Sequence, residues 1–124
     1  MRKRGYVLAL AVAMASHRVD AKPKIEPAEV GVASWYGSKL NGHLTASGEK
    51  MDRQRLTAAH RTLPFGTILE VTNRKNGRKV LVRVNDRGPG RKSRIIDLSP
   101  AAAAVLGMRH KGLAIVEIRP AQFE

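Results

Sequence analysis

Short segments with apolar residues at every second position recur along the chain from Val30 onward. In KVLVRVND, at 79–86, Val80, Val82 and Val84 fall together on one face. A period of two is the repeat of a half-buried β-strand. The same pattern predicts four further short strands: VGVASWY at 30–36, TILEVTN at 67–73, RIID at 94–97 and LAIVEI at 113–118.

Turn and capping residues separate these segments. Asn76-Gly77 can supply the positive φ values of a tight hairpin between two strands. One helix is indicated, with Ser99 as its N-cap and Gly107 at its end. Residues 37–54 show no periodicity, which is typical of a functional loop in a small domain. About six short strands with one small helix predict a mainly β, compact barrel.

The N-terminal residues have the pattern of an export signal. MRKR is positively charged, GYVLALAVAMA is too short for a comfortable transmembrane helix, and Ala13-Met14-Ala15 offers a cleavage site. A buried N-terminal helix or a retained anchor is the alternative interpretation. The expected organisation is a signal peptide at 1–21, a polar leader at 22–29, the barrel domain at 30–119 and a tail at 120–124.

The chain is strongly basic, with 23 Lys and Arg residues, 10 Asp and Glu residues and a net charge of +13. This charge favours polyanionic partners. Nucleic acid is not expected, because aromatic residues make up only 4% of the chain and the basic residues are scattered along it. There is no cysteine, and the four histidines share no ligand spacing, so neither a metal nor a cofactor is expected.

Several longer motifs resemble one known family. They occur in the order found in the double-psi β-barrel domain of the rare lipoprotein A (RlpA) family, and the resemblance covers Gly31 to Ile118. The motifs are GVASWYG, TASGE, LTAAHRTLPFGT, VTNRKNGR, VRVNDRGP and RIIDLSPAAAAVLGM.

The resemblance implies a mainly β fold, a six-stranded double-psi β-barrel with one or two short helices. It also implies an endolytic lytic transglycosylase that cleaves the MurNAc-GlcNAc β-1,4 bond of peptidoglycan and prefers glycan strands without stem peptides. Such a protein is expected in the periplasm or the cell wall, as a monomer. A non-catalytic glycan-binding or expansin-like wall-loosening module is the alternative, since a fold alone does not give activity.

The chain departs from the family pattern in three places. The cysteine that receives a lipid in many members is absent, so a lipoprotein is not expected. The C-terminal peptidoglycan-binding repeat domain of many members is not expected, because six residues follow Ile118. The family's His-Gly-Arg is replaced by Asn41-Gly42-His43, with Leu44 before Thr45, which bears on substrate affinity more than on chemistry.

Glycosidic cleavage needs an acid that protonates the leaving oxygen. In a lytic transglycosylase the C6 hydroxyl of the muramic acid replaces water as the nucleophile, so one carboxyl group can donate the proton and then recover one. The resemblance marks Glu49, His60 and Asp86 as the catalytic positions. We expect Glu49 and Asp86 to face each other with offset pKa values.

Each of these residues also has a structural interpretation. Asp86 could close a turn onto the N–H of Gly88, and His60 could be a buried structural histidine. Glu49 could be a loop carboxylate paired with Lys50 or Arg53.

The remaining candidates would bind the sugar or tune the acid. Trp35 and Tyr36 are candidates for sugar stacking or for the groove wall, although a single Trp is as often part of a core. Thr45 belongs to the TASGE motif, and Arg87 would lower the pKa of the neighbouring Asp86 carboxyl group. Asp97 either anchors the entry to the helix or serves as the next candidate acid.

Overall fold

The structure is a computed structural model that describes residues 28–37 and 40–121. The predicted signal peptide, nearly all of the leader and residues 122–124 lie outside the described residues. Among the described residues, no helix has the length and apolar character needed to cross a membrane.

Six strands close into one barrel, with a single α-helix packed beside it in the described part of the chain. The predicted fold class is therefore confirmed. Around the barrel the strands follow the order β1-β5-β2-β4-β3-β6, in which the β1–β5 and β2–β4 pairs are parallel and the others antiparallel. The elements are β1 Glu29–Trp35, β2 Thr57–Ala59, β3 Ile68–Asn73, β4 Lys79–Asp86, β5 Arg94–Leu98, α1 Pro100–Val105 and β6 Leu113–Pro120.

Alternation on β4 produces the core as the sequence predicts. Val80, Val82 and Val84 are buried, whereas Lys79 and Leu81 are exposed. Matching positions on the other strands complete an aliphatic interior that includes Leu69, Val71, Ile96, Leu98, Val116 and Ile118. Burial of these side chains is the main favourable contribution to folding.

Strand β2 is the one element without a signal in the sequence. Thr57, Ala58 and Ala59 are all buried and show no alternation. The segment becomes a strand because it lies between β4 and β5 and pairs with both. Tertiary pairing, and not local pattern, creates it.

The hairpin between β3 and β4 differs from the expectation at one residue. Gly77 has a φ of 77°, but Asn76 does not have a positive φ. The Asn76 side chain instead accepts a hydrogen bond from Arg78 N and donates one to Leu106 O. Asn76 therefore shapes the turn and ties the hairpin to the end of α1.

The predicted helix boundaries are confirmed. The Ser99 hydroxyl accepts a hydrogen bond from Ala102 N at the first turn of α1, and it donates one to Arg55 O. Gly107 follows the last turn with a φ of 71°, a value that favours glycine. This cap fixes the segment after β5 and, through Arg55, the segment that leads into β2.

Candidate active site

Four strands place a row of polar and small residues side by side. Ser34 on β1 pairs with Asp97 on β5, Asp97 pairs with Ala59 on β2, and Ala59 pairs with Asp86 on β4. Residues paired directly across neighbouring strands project to the same face of a sheet. The two aspartates therefore flank Ala59.

Asp86 is the last residue of β4 and is half-buried. Its Oδ1 accepts hydrogen bonds from Ala46 N at 2.9 Å and from its neighbour Arg87 N at 2.8 Å. Its Oδ2 accepts a hydrogen bond from the Tyr36 hydroxyl at 3.0 Å. No bond from Gly88 N to the carboxylate is present among these contacts, so the expected alternative of an Asx turn onto Gly88 is replaced by a bond to Arg87 N.

Tyr36 joins the two aspartates electrostatically. Burial raises the pKa of the Tyr36 phenol far above its ordinary value, and the nearby Asp86 and Asp97 carboxylates raise it further. The phenol therefore keeps its proton at physiological pH. Tyr36 holds Asp86 through its hydroxyl. Sugar stacking, or a place in the groove wall, stays a prediction for its ring.

Asp97 is held from the opposite side of the row. The Ser34 hydroxyl donates a hydrogen bond to Asp97 Oδ1, and Arg94 Nε lies 3.8 Å from the same oxygen. The other oxygen, Oδ2, faces Gly88, where an added Cβ would lie 3.9 Å away. Asp97 makes no bond to the α1 cap among these contacts, so it belongs to the strand-end row.

Glu49 lies against the other side of β4. Its Oε1 accepts a hydrogen bond from Asn85 Nδ2 at 2.6 Å and lies 2.8 Å from Arg83 Nη2. These two contacts lower the pKa of the Glu49 carboxyl group, the Asn85 hydrogen bond contributing most. Its ion-pair partner is thus Arg83, in place of Lys50 or Arg53. Asn85 and Asp86 are consecutive residues of β4. Glu49, which is bound to Asn85, therefore has different neighbours from Asp86.

The loop of residues 45–49 connects Glu49 with the surroundings of Asp86. The Thr45 hydroxyl donates to Glu49 O at 2.6 Å, and Thr45 N donates to the same carbonyl. Thr45 is buried, so it closes the 45–49 loop and does not line the surface. The closed loop carries Ala46 N to Asp86 and Glu49 to Asn85.

Arg87 points away from Asp86. Its guanidinium donates to the carbonyls of His60 and Leu63 and lies over the Phe65 ring, 4.1 Å from the centroid. Arg61 makes the reciprocal contact, donating to the carbonyls of Arg91 and Arg94. The two arginines fasten the loops that follow β2 and β4 to each other.

His60 is buried at the end of β2. Its Nδ1 accepts hydrogen bonds from Thr62 N and Leu63 N, both at 3.2 Å, so in the neutral ring Nε2 carries the hydrogen. Nε2 lies 3.3 Å from Glu29 Oε1. The His60 ring is thus held by its own loop and by β1, while its backbone N donates to Asp86 O.

Two cavities contain some of these residues. One of about 290 Å³ contains Glu49, Asp52, Arg55 and Asn85. A second, of about 550 Å³, contains Trp35, and there the Arg109 guanidinium lies 5.6 Å from the indole centroid.

Another cavity, of about 740 Å³, has mainly aliphatic walls that include Val32, Leu113 and Ile115. It holds none of the predicted site residues. In the described part of the chain, no group of three His, Cys, Asp or Glu residues is placed to hold a metal ion.

Four residues of the site were missed by the sequence analysis: Ser34, Ala59, Arg83 and Asn85. For two of these residues, the alternation of side chains along β4 carried a usable signal. Alternation from Val84 places Arg83 and Asn85 on the face opposite to the core valines, beside the TASGE loop. Ser34 and Ala59 had no such signal, because their importance comes from strand pairing.

The order of strands, with Asp86 and Asp97 at the ends of the two strands that flank β2, is that of a double-psi β-barrel. The family described as lytic transglycolase matches residues 28–118. The chain therefore belongs to this family, the RlpA-like double-psi β-barrel proteins.

Named relatives agree with this assignment. A protein of Synechocystis named probable endolytic peptidoglycan transglycosylase RlpA is 47% identical over 115 residues, which cover 90% of this chain and 36% of the relative. The endolytic peptidoglycan transglycosylase RlpA of Vibrio cholerae is 52% identical over 103 residues, covering 83% of this chain and 39% of the relative. The chain thus spans little more than a third of the length of these relatives.

A solved structure shows how widely the fold is used. The Streptomyces papain inhibitor has a TM-score of 0.63 and 26% identity to this chain, with 81% of this chain and 100% of the inhibitor covered. Its name denotes an inhibitor, so the barrel by itself does not determine the activity.

Proposed function

We propose that this chain is an endolytic lytic transglycosylase that cleaves the MurNAc-GlcNAc β-1,4 bond of peptidoglycan glycan strands. Family membership supports the reaction class. The observation that carries the assignment to particular residues is the placement of Asp86, bound by Tyr36, at the end of β4 and one strand away from Ala59.

Asp86 transfers the proton in this proposal. Its protonated carboxyl group donates a proton to the glycosidic oxygen as the C1–O bond breaks, and the GlcNAc hydroxyl leaves. The C6 hydroxyl of the same MurNAc then bonds to C1 and returns its proton to the Asp86 carboxylate. The product is a 1,6-anhydro-MurNAc end, and no water is consumed.

The hydrogen bonds at Asp86 indicate which of its carboxylate oxygens transfers the proton. Oδ1 accepts two backbone N–H groups, which cannot serve as proton acceptors. Among the described residues, Oδ2 has the Tyr36 hydroxyl as its one partner, and this hydroxyl can reorient to accept a hydrogen bond when Oδ2 is protonated. Oδ2 is therefore the oxygen that carries the proton.

Glu49 has a supporting role in the same scheme. The contacts that lower its pKa keep it ionised at neutral pH, so it does not donate the first proton. Its negative charge can stabilise the oxocarbenium character of the sugar. Its bonds to Arg83 and Asn85 also hold the loop whose Ala46 N contacts Asp86.

The proposal extends to location and substrate form. The pattern at residues 1–21 supports export to the periplasm or cell wall, where the substrate lies. A preference for strands without stem peptides and a monomeric state complete the proposal. The strongly basic chain would be retained on anionic wall polymers, in a manner that weakens as salt rises.

A non-catalytic glycan-binding or wall-loosening module is the second candidate, because the same barrel occurs in a protein named as an inhibitor. Product analysis separates the two. Peptide-free sacculi are incubated with the protein in H₂¹⁸O, and the soluble products are examined by mass spectrometry. We expect 1,6-anhydro ends without ¹⁸O. Reducing ends that carry ¹⁸O would mean hydrolysis, and the absence of soluble products would favour the binding module.

A further inference from the structure

The cavity beside Trp35 combines an aromatic wall with two arginines. Trp35, Arg53, Gln54 and Arg109 line it together with residues of α1, and its volume is about 550 Å³. Arg53 and Arg109 are exposed. Within the described ranges, neither guanidinium has a carboxylate within 4.0 Å. The cavity therefore offers positive charge that the described protein does not neutralise.

Other contacts place both arginines at the cavity, through the side chain of Arg109 and through the backbone of Arg53. The Arg109 guanidinium lies over the Trp35 indole, an arrangement that fixes its plane and leaves the N–H groups at its edge available. The backbone of Arg53 is bound on both sides, with its N donating to Asn41 Oδ1 and its O accepting from Ala101 N. A planar fork of donors held in this way matches a carboxylate.

The cavity adjoins the proposed active site. Trp35 precedes Tyr36, which binds Asp86. The turn at residues 52–55 separates the two cavities, since Asp52 and Arg55 line the cavity of Glu49, whereas Arg53 and Gln54 line the cavity of Trp35. A glycan strand that passes Glu49 thus has the arginine cavity as a neighbour.

We propose that Arg53 and Arg109 bind the free carboxylate of an acidic amino sugar, the lactyl carboxylate of a MurNAc residue whose stem peptide has been removed. This inference rests on the proposed function. When a stem peptide is attached, that carboxyl group is an amide and carries no charge. The cavity would then distinguish peptide-free from peptide-bearing strands through charge, with Gln54 as an additional hydrogen-bonding group.

The single tryptophan of the chain provides a direct measurement. Trp35 emission is followed during titration with N-acetylmuramic acid, its methyl ester and N-acetylglucosamine, all at constant ionic strength. We expect a saturable change with the acid and about a tenfold weaker response to the two neutral sugars, the scale of one hydrogen-bonded charge. Equal responses to all three would overturn the proposal, and so would an equal response to acetate or inorganic phosphate.

Substitutions locate the effect. Arg53→Gln and Arg109→Gln should each weaken binding of N-acetylmuramic acid about tenfold and leave N-acetylglucosamine binding unchanged. Arg91→Gln is the matched control, because it removes the same charge from an exposed side chain outside the cavity. Equal behaviour of the three variants would contradict the proposal.

Kinetics distinguish failure of this inference from failure of the proposed function. On peptide-free strands, Arg109→Gln should raise KM while kcat is retained, and on peptide-bearing strands it should match the wild type. Anhydro products without any dependence on Arg53 or Arg109 would remove only the carboxylate site. Arginine-dependent binding of N-acetylmuramic acid without anhydro products would remove only the proposed activity.

Discussion

The carboxylates of Glu49 and Asp86, on the two sides of β4, have different kinds of binding partners. On one side, Glu49 is paired with a cation, Arg83, and with the amide of Asn85. On the other side, the donors that bind Asp86 within residues 28–37 and 40–121 are uncharged, two backbone N–H groups and the Tyr36 hydroxyl. An ion pair favours a carboxylate that stays ionised, whereas a reorientable hydroxyl permits a proton to arrive and leave. One residue step along β4 thus separates the surroundings of Glu49 from those of Asp86, the proton carrier that we propose.

Exchange of Asp86 for asparagine should produce the largest effect. In Asp86→Asn the new amide oxygen can still accept from the two backbone N–H groups, and the amide NH₂ can donate to the Tyr36 oxygen, so the fold should be retained. The transferable proton is lost. We expect turnover of peptide-free strands to fall by about 10²–10⁴, the usual contribution of a general acid or base, with little change in melting temperature. Full activity would return Asp86 to a structural role, and Asp97 would be the next acid to exchange.

Removal of the Tyr36 hydroxyl should have the next largest effect. Tyr36→Phe keeps the ring and removes the donor to Asp86 Oδ2. We expect kcat to fall about fivefold with KM retained, because one neutral hydrogen bond contributes about 1 kcal/mol. A change in KM alone would show that Tyr36 contacts the sugar and does not position the acid.

A double-mutant cycle tests whether Glu49 works through Arg83. Glu49→Gln and Arg83→Gln should each lower activity, and the double variant should lose less than the sum of the two losses in free energy. When the same cycle is measured on the free energy of unfolding, the expected coupling is about 0.5–1 kcal/mol, because both side chains are partly exposed. If Glu49→Gln abolishes activity while Arg83→Gln does not, Glu49 takes part directly in proton transfer.

The pH dependence of stability should show the smallest effect. Because the pKa of Glu49 is lowered in the folded protein, its contribution is present above the unfolded pKa of about 4.3 and is lost as the pH falls through the lower folded value. The melting temperature of the wild type should therefore exceed that of Glu49→Gln near neutral pH, and the difference should vanish in strong acid. A difference that grows in acid would contradict the direction of the shift.

The same contrast explains how far the sequence could predict this site. The place of Asp86 at the end of a strand follows from the alternation of Val80, Val82 and Val84 and from the Gly88-Pro89 turn. The partner of Glu49 does not follow, because the 45–49 loop folds back through a bond between Thr45 and a main-chain carbonyl. No periodicity records such a bond.

Some strands of the fold could likewise be predicted from the sequence and one could not. Strands with a buried and an exposed face, such as β3 and β4, are visible in the sequence because water and core impose a period of two. Strand β2 is covered on both faces and paired on both edges, so no period marks it. The placement of Asp86 and Asp97 on either side of Ala59 depends on β2 and could not be predicted from the sequence.

A crystal structure of Asp86→Asn with a peptide-free glycan oligomer would test most directly which side of β4 faces the scissile bond. We expect the amide introduced at position 86 to lie about 2.6–3.2 Å from a glycosidic oxygen, with Glu49 still bound to Arg83 and Asn85. A scissile bond placed at Glu49, with that introduced amide out of reach of the glycan, would contradict the assignment of Asp86 as the proton carrier.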